Sequence, residues 1–373
     1  MRKRLQSAQR WVIKVGSSLL TAEGRGLDHT IIKQWSEQIA TLLDDGCEVI
    51  LVSSGSIAEG VVRLGWQTRP TAVHQLQAAA AVGQMGLIRA YEDAFRKYGR
   101  LAAQVLLTHE DLSNRRRYLN ARATLSSLIA HGVVPIINEN DTVTTDEIRL
   151  GDNDTLGALV ANLLDADVLV LLTDQAGLFD RDPRKHADAK LLERANASDK
   201  AVRDLAGPSA GNLGRGGMTT KVLAAERAAQ TGATTVIADG RESNILLRLR
   251  KGEQLGTMLT SDQQPRDARK RWLANQLRVK GHLVLDAGAC KVLRTQGSSL
   301  LSVGVTNCSG NFSRGELVAC VDTKGVEVAR GLSNYGTVNT QRIMGKSSDR
   351  FMELLGYDGE PELVHRDNMI VFR

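Results

Sequence analysis

The sequence predicts an α/β protein whose main domain is a mostly parallel sheet covered by helices on both faces, a three-layer αβα sandwich. Up to residue 262, short runs rich in β-branched residues alternate with longer helical segments, the pattern of a parallel sheet with crossover helices. Several of these runs are almost entirely apolar, as expected for strands buried on both faces. After Arg266–Trp272 the segments become short and glycine-rich, which predicts a separate small β domain.

Six strand candidates account for the main sheet. They are WVIKV from Trp11, EVILVSS from Glu48, AAQVLLT from Ala102, VVPIIN from Val133, DVLVLLTD from Asp167 and TTVIA from Thr234. Each is preceded or followed by an amphipathic or alanine-rich segment of helix length. Because no further candidate follows the sixth, we expect the sheet to be complete at about Asp239.

The change to short, glycine-rich segments after Arg266–Trp272 divides the chain into domains. We assign residues 1–262 to the main domain, 263–278 to a linker and 279–373 to the small domain. In the last of these, GELVACVDTKGVEVARG has Lys324 and Gly325 between two alternating runs, the pattern of a β-hairpin. The basic cluster Arg266–Arg271 is interpreted as solvated surface rather than as a binding site.

Composition excludes several classes of protein. The hydrophobic fraction of 42% and charged fraction of 24% are those of a soluble globular protein. The basic N-terminus is not interpreted as a signal peptide, because Lys14 splits the apolar segment. The cysteines have no CxxC pair and no zinc-like spacing, so we expect free thiols, no protein metal site and a cytoplasmic location. They are Cys47, Cys290, Cys308 and Cys320.

The net charge of +6 and pI of about 9.2 fit either a nucleic acid or an anionic small substrate. An aromatic content of only 4% weakens the first alternative, because few side chains are present to stack on bases. From Val279 to Arg373 there are 11 Lys+Arg against 10 Asp+Glu, which is little charge for binding a phosphate backbone. We therefore favour a structural or regulatory role for the small domain over RNA binding.

Polar segments follow the strand candidates, at the edge where open α/β sheets bind ligands. They are KVGSS, SSGSIAEG, NENDTV and TDQAGLFDRDP, with GDND opening the helix before the fifth strand. Gly16, Ser17 and Ser18 offer donors suited to phosphate oxygens. Lys14, inside an apolar strand, either pairs with an anion such as phosphate or extends to water.

A second glycine-rich element, GNLGRGGMTTK, leads from a loop into a helix that carries Lys221 in its first turns. It matches neither the Walker A loop nor the dinucleotide fingerprint. It is either a phosphate-binding loop, with glycines that let the backbone approach an anion, or an ordinary loop.

The segment GDND places Asp152, Asn153 and Asp154 before an apolar helix. One such residue suffices as an N-cap, so three suggest a further role. With the two lysines, this cluster predicts phosphoryl transfer from a nucleotide. No histidine lies in these segments, which fits a carboxylate acceptor, since an ionised carboxylate needs no general base.

Together these motifs resemble the amino-acid kinase family, in the branch that acts on L-glutamate. The match extends through VIKVGSSLLT, LVSSGSIAEG, AAVGQMGLIRAY, LLTHEDLSNRRRYLNAR, VVPIINENDTV, GDNDTLGALVA, LLTDQAGLFDRDP and GRGGMTTK, and GNFSRGE resembles a PUA domain. The resemblance implies the amino-acid kinase fold followed by a small β-barrel-like PUA domain. It also implies ATP-dependent phosphorylation of the glutamate side-chain carboxylate to L-glutamyl 5-phosphate, the first step of proline biosynthesis, with feedback inhibition by proline. Another carboxylate kinase of the family and an RNA-binding PUA protein are the alternatives.

The resemblance also implies roles for individual residues. Lys14 and Lys221 would stabilise the transferring phosphoryl group, with Asp154 between them orienting both. Ser54, Asp141 and Asn153 would bind glutamate, and Asp152 would be a cap. The nucleotide would be held by Lys14, Thr173, Asp174, Arg215, Gly216, Gly217, Met218, Thr219, Thr220 and Lys221. Mg²⁺ would bridge the phosphates without a set of protein ligands. Ser53 and Arg215 stand where the family often has Thr.

The implied partners are glutamate, ATP with Mg²⁺, and proline. A homo-oligomer, either a dimer or a tetramer, is expected, with glutamyl-phosphate reductase as a downstream partner. Neither a membrane nor RNA is expected as a partner.

Overall fold

The computed structural model describes residues 2–21, 26–144, 153–206, 217–261 and 279–372. The chain divides into two compact units, one formed by Met1–Leu112 and Ala121–Pro265, the other by Ser113–Asn120 and Arg266–Arg373. The expected linker, 263–278, lies outside the described residues. So do Asp152, Arg215 and Gly216, and their predicted roles stay predictions.

The first unit is built on one large sheet, which has eight strands within the described residues. In chain order they are β1 (Arg10–Val15), β2 (Glu48–Val52), β3 (Ala102–Leu107), β4 (Val134–Glu139), β5 (Val168–Thr173), β6 (Arg194–Asn196), β7 (Thr234–Asp239) and β8 (Thr257–Thr260). Their order across the sheet is β3-β4-β2-β1-β5-β7-β8-β6. All six predicted strands are present, and the mostly parallel sheet is confirmed.

The strand pairing fixes the position of the functional edge. β1 pairs in parallel with β2 and β5, so that Lys14 lies opposite Val52 on one side and Leu171 on the other. The pairs β2–β4, β3–β4 and β5–β7 are also parallel. The carboxyl ends of β1, β2, β4, β5 and β7 therefore meet at one edge, where α/β sheets bind ligands.

The expectation that the sheet is complete at about Asp239 is wrong. β8 pairs antiparallel with β7, and β6 pairs in parallel with β8. Both strands are short, with four and three residues, and such runs carry little periodic signal in a sequence.

Helices flank this sheet. Within the described residues of 2–261 they are α1 (Lys3–Ser7), α2 (Ser17–Leu20), α3 (His29–Asp44), α4 (Ser56–Arg63), α5 (Val73–Arg96), α6 (His109–Ser113), α7 (Arg115–Ala130), α8 (Asn153–Leu164), α9 (Lys200–Leu205), α10 (Met218–Ala229) and α11 (Ile245–Arg250). Local chemistry explains where several of them begin. Asp28 caps α3, since its carboxylate accepts from the amides of Thr30 and Ile31. Gly55 turns the chain from β2 into α4 with φ +99°, a conformation that favours glycine.

Two glycines allow α4 and α5 to pack at very short range. A β-carbon added at Gly60 would lie 1.7 Å from the Ala79 carbonyl oxygen, and one at Gly83 would lie 1.8 Å from the Ser56 carbonyl oxygen. Neither position can carry a side chain without moving a helix. The first residue of α4, Ser56, is thereby held against the middle of α5.

The core of the first unit lies between the sheet and its helices. Trp11, Trp35, Tyr91 and Phe95 are its largest fully buried side chains. All six residues of β5 and five of the six of β1 are buried, as predicted for central strands of a parallel sheet. The apolar residues of these two strands thus fix the position of Lys14, the buried charged residue of β1.

The second unit contains the predicted small β domain. Its strands are β9 (Gly281–Leu285), β10 (Leu300–Leu301), β11 (Val305–Gly310), β12 (Leu317–Val321), β13 (Glu327–Leu332), β14 (Glu362–Val364) and β15 (Met369–Val371), and its helices include α12 (Ala287–Gln296), α13 (Thr337–Ile343) and α14 (Phe351–Leu355). Five strands form one sheet in the order β11-β9-β12-β13-β15, and β10 pairs with β14. The predicted hairpin is β12–β13, with Gly325 at φ +82° in its turn.

In the described part of the chain, no helix has both the length and the apolar character needed to cross a bilayer.

Candidate active site

Three charged side chains from three elements meet at the carboxyl edge of the large sheet. Lys14 comes from the end of β1, Asp154 from the first turn of α8 and Lys221 from the first turn of α10. Lys14 Nζ lies 2.5 Å from Asp154 Oδ1, and Lys221 Nζ lies 3.0 Å from Asp154 Oδ2. The predicted position of Asp154 between the two lysines is confirmed. We call these three residues the charge triad.

The charge triad is almost completely removed from solvent. The side chains of Lys14 and Lys221 are each 5% exposed, and that of Asp154 is 0% exposed. The alternative that Lys14 extends to water is therefore wrong. Burial alone would raise the pKa of Asp154, but Lys14 and Lys221 together lower it to about 2. The carboxylate is ionised at neutral pH, and the triad carries a net charge of +1.

Neighbouring residues hold the triad in place. The Thr220 hydroxyl lies 2.9 Å from Asp154 Oδ2 and 2.8 Å from the Gly217 carbonyl oxygen. On α8, a β-carbon added at Gly157 would lie 3.3 Å from Lys14 Cβ, so the missing side chain leaves room for the lysine stem. Both ammonium groups are thereby fixed before any substrate arrives, which is the condition for electrostatic preorganisation.

A cluster of amides and hydroxyls follows the triad residue Asp154 through its chain neighbour Asn153. We call it the amide cluster; its members are Asn153, Ser54, Asn138 and Ser56. Asn153 Nδ2 lies 2.8 Å from the Ser53 carbonyl oxygen, 2.9 Å from Ser54 Oγ and 2.9 Å from Asn138 Oδ1, and its two hydrogens are shared among these acceptors. Asn153 Oδ1 takes part in none of these three contacts. Of the predicted substrate residues, Asn153 and Ser54 are therefore in direct contact.

Asp141, the third predicted substrate residue, joins the same cluster through Ser56. Ser56 Oγ donates to Asp141 Oδ2 at 3.3 Å and accepts from Asn138 Nδ2 at 3.3 Å. Burial raises the pKa of Asp141 to about 6, opposed by the hydrogen bond from Ser56 and the charge of Arg69. A carboxylate that is costly to ionise in the free protein is suited to receive a cationic group.

Asp141 also borders a cavity of about 240 Å³ between α5 and the ends of β3 and β4. Its other lining residues are Ala80, Ala81, Gln84, Met85, Gln104, Leu106, Glu139, Asn140 and Thr142. Of the predicted substrate residues, Asp141 thus lies beside a cleft.

The described nucleotide candidates follow β5 or open α10, and β5 lies on the opposite side of β1 from β2 and β4 in the sheet. Thr173 ends β5, and its hydroxyl donates to Asp174 Oδ1 at 3.1 Å. Gly217 precedes α10, and Thr219 donates to the Ala206 carbonyl oxygen at 3.2 Å. Met218 is the first residue of that helix, so its amide belongs to the helix N-terminus, which favours anions.

Two members of the amide cluster, Asn138 and Ser56, were not predicted as site residues. Asn138 is 2% exposed and contacts both Asn153 and Ser56. Both residues lie inside segments that follow predicted strands, SSGSIAEG and NENDTV. Their position at the sheet edge was thus available from the sequence, whereas their mutual contacts were not.

Within the described residues, no three His, Cys, Asp or Glu side chains are grouped closely enough to hold a metal ion. The four cysteines are buried free thiols, as predicted.

Comparison with known proteins assigns both domains. The model of the amino acid kinase family matches residues 9–239, and that of the PUA domain matches residues 281–355. The chain is 61% identical over 370 residues to proteins named glutamate 5-kinase from Thioalkalivibrio sulfidiphilus and Chromohalobacter salexigens. The alignments cover 99% of this chain and 99% and 98% of the two relatives.

A solved structure supports the fold. Carbamate kinase from Giardia lamblia bound to AMP-PNP superposes with a TM-score of 0.50 at 19% sequence identity, covering 69% of this chain and all of that one. At this identity the likeness concerns the fold alone. The family models and the full-length relatives carry the assignment: the chain belongs to the amino acid kinase family and, within it, to the glutamate 5-kinases, with a PUA domain following the kinase domain.

Proposed function

We propose that this protein transfers the γ-phosphoryl group of ATP to the side-chain carboxylate of L-glutamate. The product is L-glutamyl 5-phosphate, and the reaction is the first step of proline biosynthesis. The relatives named glutamate 5-kinase, which align over nearly the whole chain, support this proposal. The observation that carries it is the charge triad, which combines two buried ammonium groups with one carboxylate at the carboxyl edge of the sheet.

The triad is suited to phosphoryl transfer because its charge is opposite to that of the group transferred. Lys14 and Lys221 would each face oxygens of the transferring phosphoryl group, where negative charge is spread in the transition state. Asp154 would keep both ammonium groups in place and charged in a buried setting. Catalysis would then consist of positioning and charge stabilisation.

The amide cluster is suited to the amino-acid end of glutamate. Asn153 Oδ1 and the Asp141 carboxylate would accept from the substrate ammonium, and Ser54 with the amides near Gly55 would donate to the α-carboxylate. The side-chain carboxylate of glutamate would then extend toward the triad. It is ionised at neutral pH and can attack without a base.

The nucleotide would occupy the side of the triad formed by Thr173, Asp174 and α10. Gly217, Met218, Thr219 and Thr220 would surround its phosphates, with Arg215 and Gly216 preceding them in the chain. ATP supplies the phosphoryl group, and Mg²⁺ would neutralise part of its charge while bound to the phosphates. The net charge of +1 on the triad fits such an anionic group.

Proline would act as a feedback inhibitor at a site overlapping that of glutamate. It also has an α-carboxylate, the group assigned to Ser54 and the amides near Gly55, and a cationic nitrogen, the group assigned to Asn153 and Asp141. We further propose the division into a kinase domain (1–262), a linker (263–278) and a PUA domain (279–373). A homo-oligomer, either a dimer or a tetramer, and glutamyl-phosphate reductase as a downstream partner complete the proposal.

The experiment that tests the function compares ADP formation with L-glutamate, L-aspartate and N-acetyl-L-glutamate as acceptors, each with ATP and Mg²⁺. We expect turnover with L-glutamate and little with the other two. Turnover with N-acetyl-L-glutamate alone would refute the proposed substrate, because that compound lacks the free ammonium group assigned to Asn153 and Asp141.

A further inference from the structure

The side chain of Gln84, in the middle of α5, contacts the amide cluster. It is 9% exposed, and its Oε1 accepts from Asn138 Nδ2 at 2.8 Å. Among the described residues, none accepts a hydrogen bond from Gln84 Nε2, which is itself buried. A buried donor without an acceptor costs free energy. Neither the family comparison nor the predicted site assigns a role to this residue.

The orientation of each amide in this group is determined by fixed backbone partners. The Ser53 carbonyl oxygen can only accept, so Asn153 must present Nδ2 to it. Asn138 must then present Oδ1 to Asn153, and the same oxygen accepts from the amide of Glu139 at 2.9 Å. Asn138 Nδ2 is left facing Gln84, which must therefore present Oε1.

Gln84 is consequently connected to both polar groups that the proposed function assigns to the substrate ammonium. One path runs through Asn138 to Asn153. The other runs through Asn138 and Ser56 to Asp141. The close packing at Gly83, next to Gln84, holds Ser56 against α5, so the two paths start from one rigid contact between helices.

The unsatisfied Nε2 argues against a purely structural role for this amide. An apolar side chain of the same length would fill the space without burying an unpaired donor. What such a side chain would lack is the closer of the two acceptors of Asn138 Nδ2, since the other, Ser56 Oγ, lies at 3.3 Å. The feature that distinguishes glutamine at this position is thus its effect on the amide cluster.

We infer that Gln84 is a positioning residue for glutamate: it acts through Asn138 to keep Asn153 Oδ1 and the Asp141 carboxylate directed at the substrate ammonium. This inference rests on the proposed function. Gln84 itself need not touch the substrate, and it has no part in the charge triad or in holding the nucleotide.

Two substitutions separate the acceptor from the rest of the side chain. Gln84→Met keeps the length but removes Oε1, and should raise the glutamate KM about tenfold, the scale of one buried hydrogen bond. The ATP KM and kcat should change less than about twofold, because the triad is untouched.

Gln84→Glu keeps an acceptor oxygen, and burial would favour its neutral form. Its glutamate KM should stay near that of the unaltered protein. If Gln84→Met fails to fold, Gln84→Leu serves as the acceptor-free variant.

Gln38→Met is the matched control. Gln38 is 5% exposed, donates to the Gln34 carbonyl oxygen and accepts from the amide of Leu246. Its loss should lower the melting temperature without changing the glutamate KM. In an Asn138→Ala background, Gln84→Met should add no further increase in the glutamate KM, because the connection is already broken.

The outcomes are distinct. A folded Gln84→Met or Gln84→Leu variant with an unchanged glutamate KM would overturn the inference. So would equal increases in Gln84→Glu and Gln84→Met, or additive effects with Asn138→Ala. None of these results touches the proposed function, which is tested separately by glutamate-dependent ADP formation in the unaltered protein.

Discussion

Replacement of Lys221 by Met removes one of the two positive charges of the charge triad. Met is apolar and of similar length, so the main change is that the net charge of the triad falls from +1 to 0. At an effective dielectric constant of about 20, one charge about 4 Å from another contributes on the order of 4 kcal/mol. Loss of one preorganised donor costs about 3–4 kcal/mol in known enzymes. We therefore expect kcat to fall by at least about 100-fold.

The variant should remain folded, because Asp154 keeps Lys14 at 2.5 Å and the Thr220 hydroxyl at 2.9 Å. The assay is steady-state ADP formation with saturating glutamate and ATP, together with a melting curve. Lys33→Met, which removes an exposed lysine from α3, is the control for loss of a positive charge as such. A folded Lys221→Met variant with an unchanged kcat would refute the assignment of Lys221 to the reaction.

Three further predictions concern the same site. Asp154→Asn should destabilise the fold by about 3–5 kcal/mol in denaturant unfolding, because it leaves two buried ammonium groups without a counter-charge; a loss no larger than that of Lys221→Met would contradict this. Asp141 has a pKa of about 6, so its carboxylate takes up a proton below that pH, and the glutamate KM should rise as pH falls from 7 to 5. Asp141→Asn should remove this pH dependence, and a dependence that persists would assign it to another group. Asn153→Ala should raise the glutamate KM and the proline concentration for half-inhibition together, whereas a change in only one would disprove overlapping sites.

Much of this architecture could be predicted because the relevant signals are local in the sequence. Central strands such as β5 are continuous apolar runs, and the polar segments directly after them must lie at the carboxyl edge of a parallel sheet. Lys14 and Asp154 stand out for the same reason, since each is a charged residue in or beside an apolar element. The meeting of Asp154 with both Lys14 and Lys221 was implied by the resemblance to the amino-acid kinase family rather than by a local signal.

Other features depend on contacts between distant parts of the chain. Gln84 and Asn138 are 54 positions apart, and no periodicity indicates that their amides meet. The raised pKa of Asp141 results from burial, which the motif NENDTV does not encode by itself. β6 and β8 were missed because strands of three and four residues are stabilised by their neighbours in the sheet rather than by a pattern of their own.

The most direct test of the proposed reaction is to trap the acyl phosphate with hydroxylamine and identify the product by mass spectrometry. With ATP, Mg²⁺ and L-glutamate, we predict a hydroxamate on the glutamate side chain, formed by the unaltered protein and reduced at least about 100-fold in Lys221→Met. A hydroxamate on the α-carboxylate, or equal yields from the two proteins, would contradict the proposal that the charge triad directs phosphoryl transfer to the side-chain carboxylate.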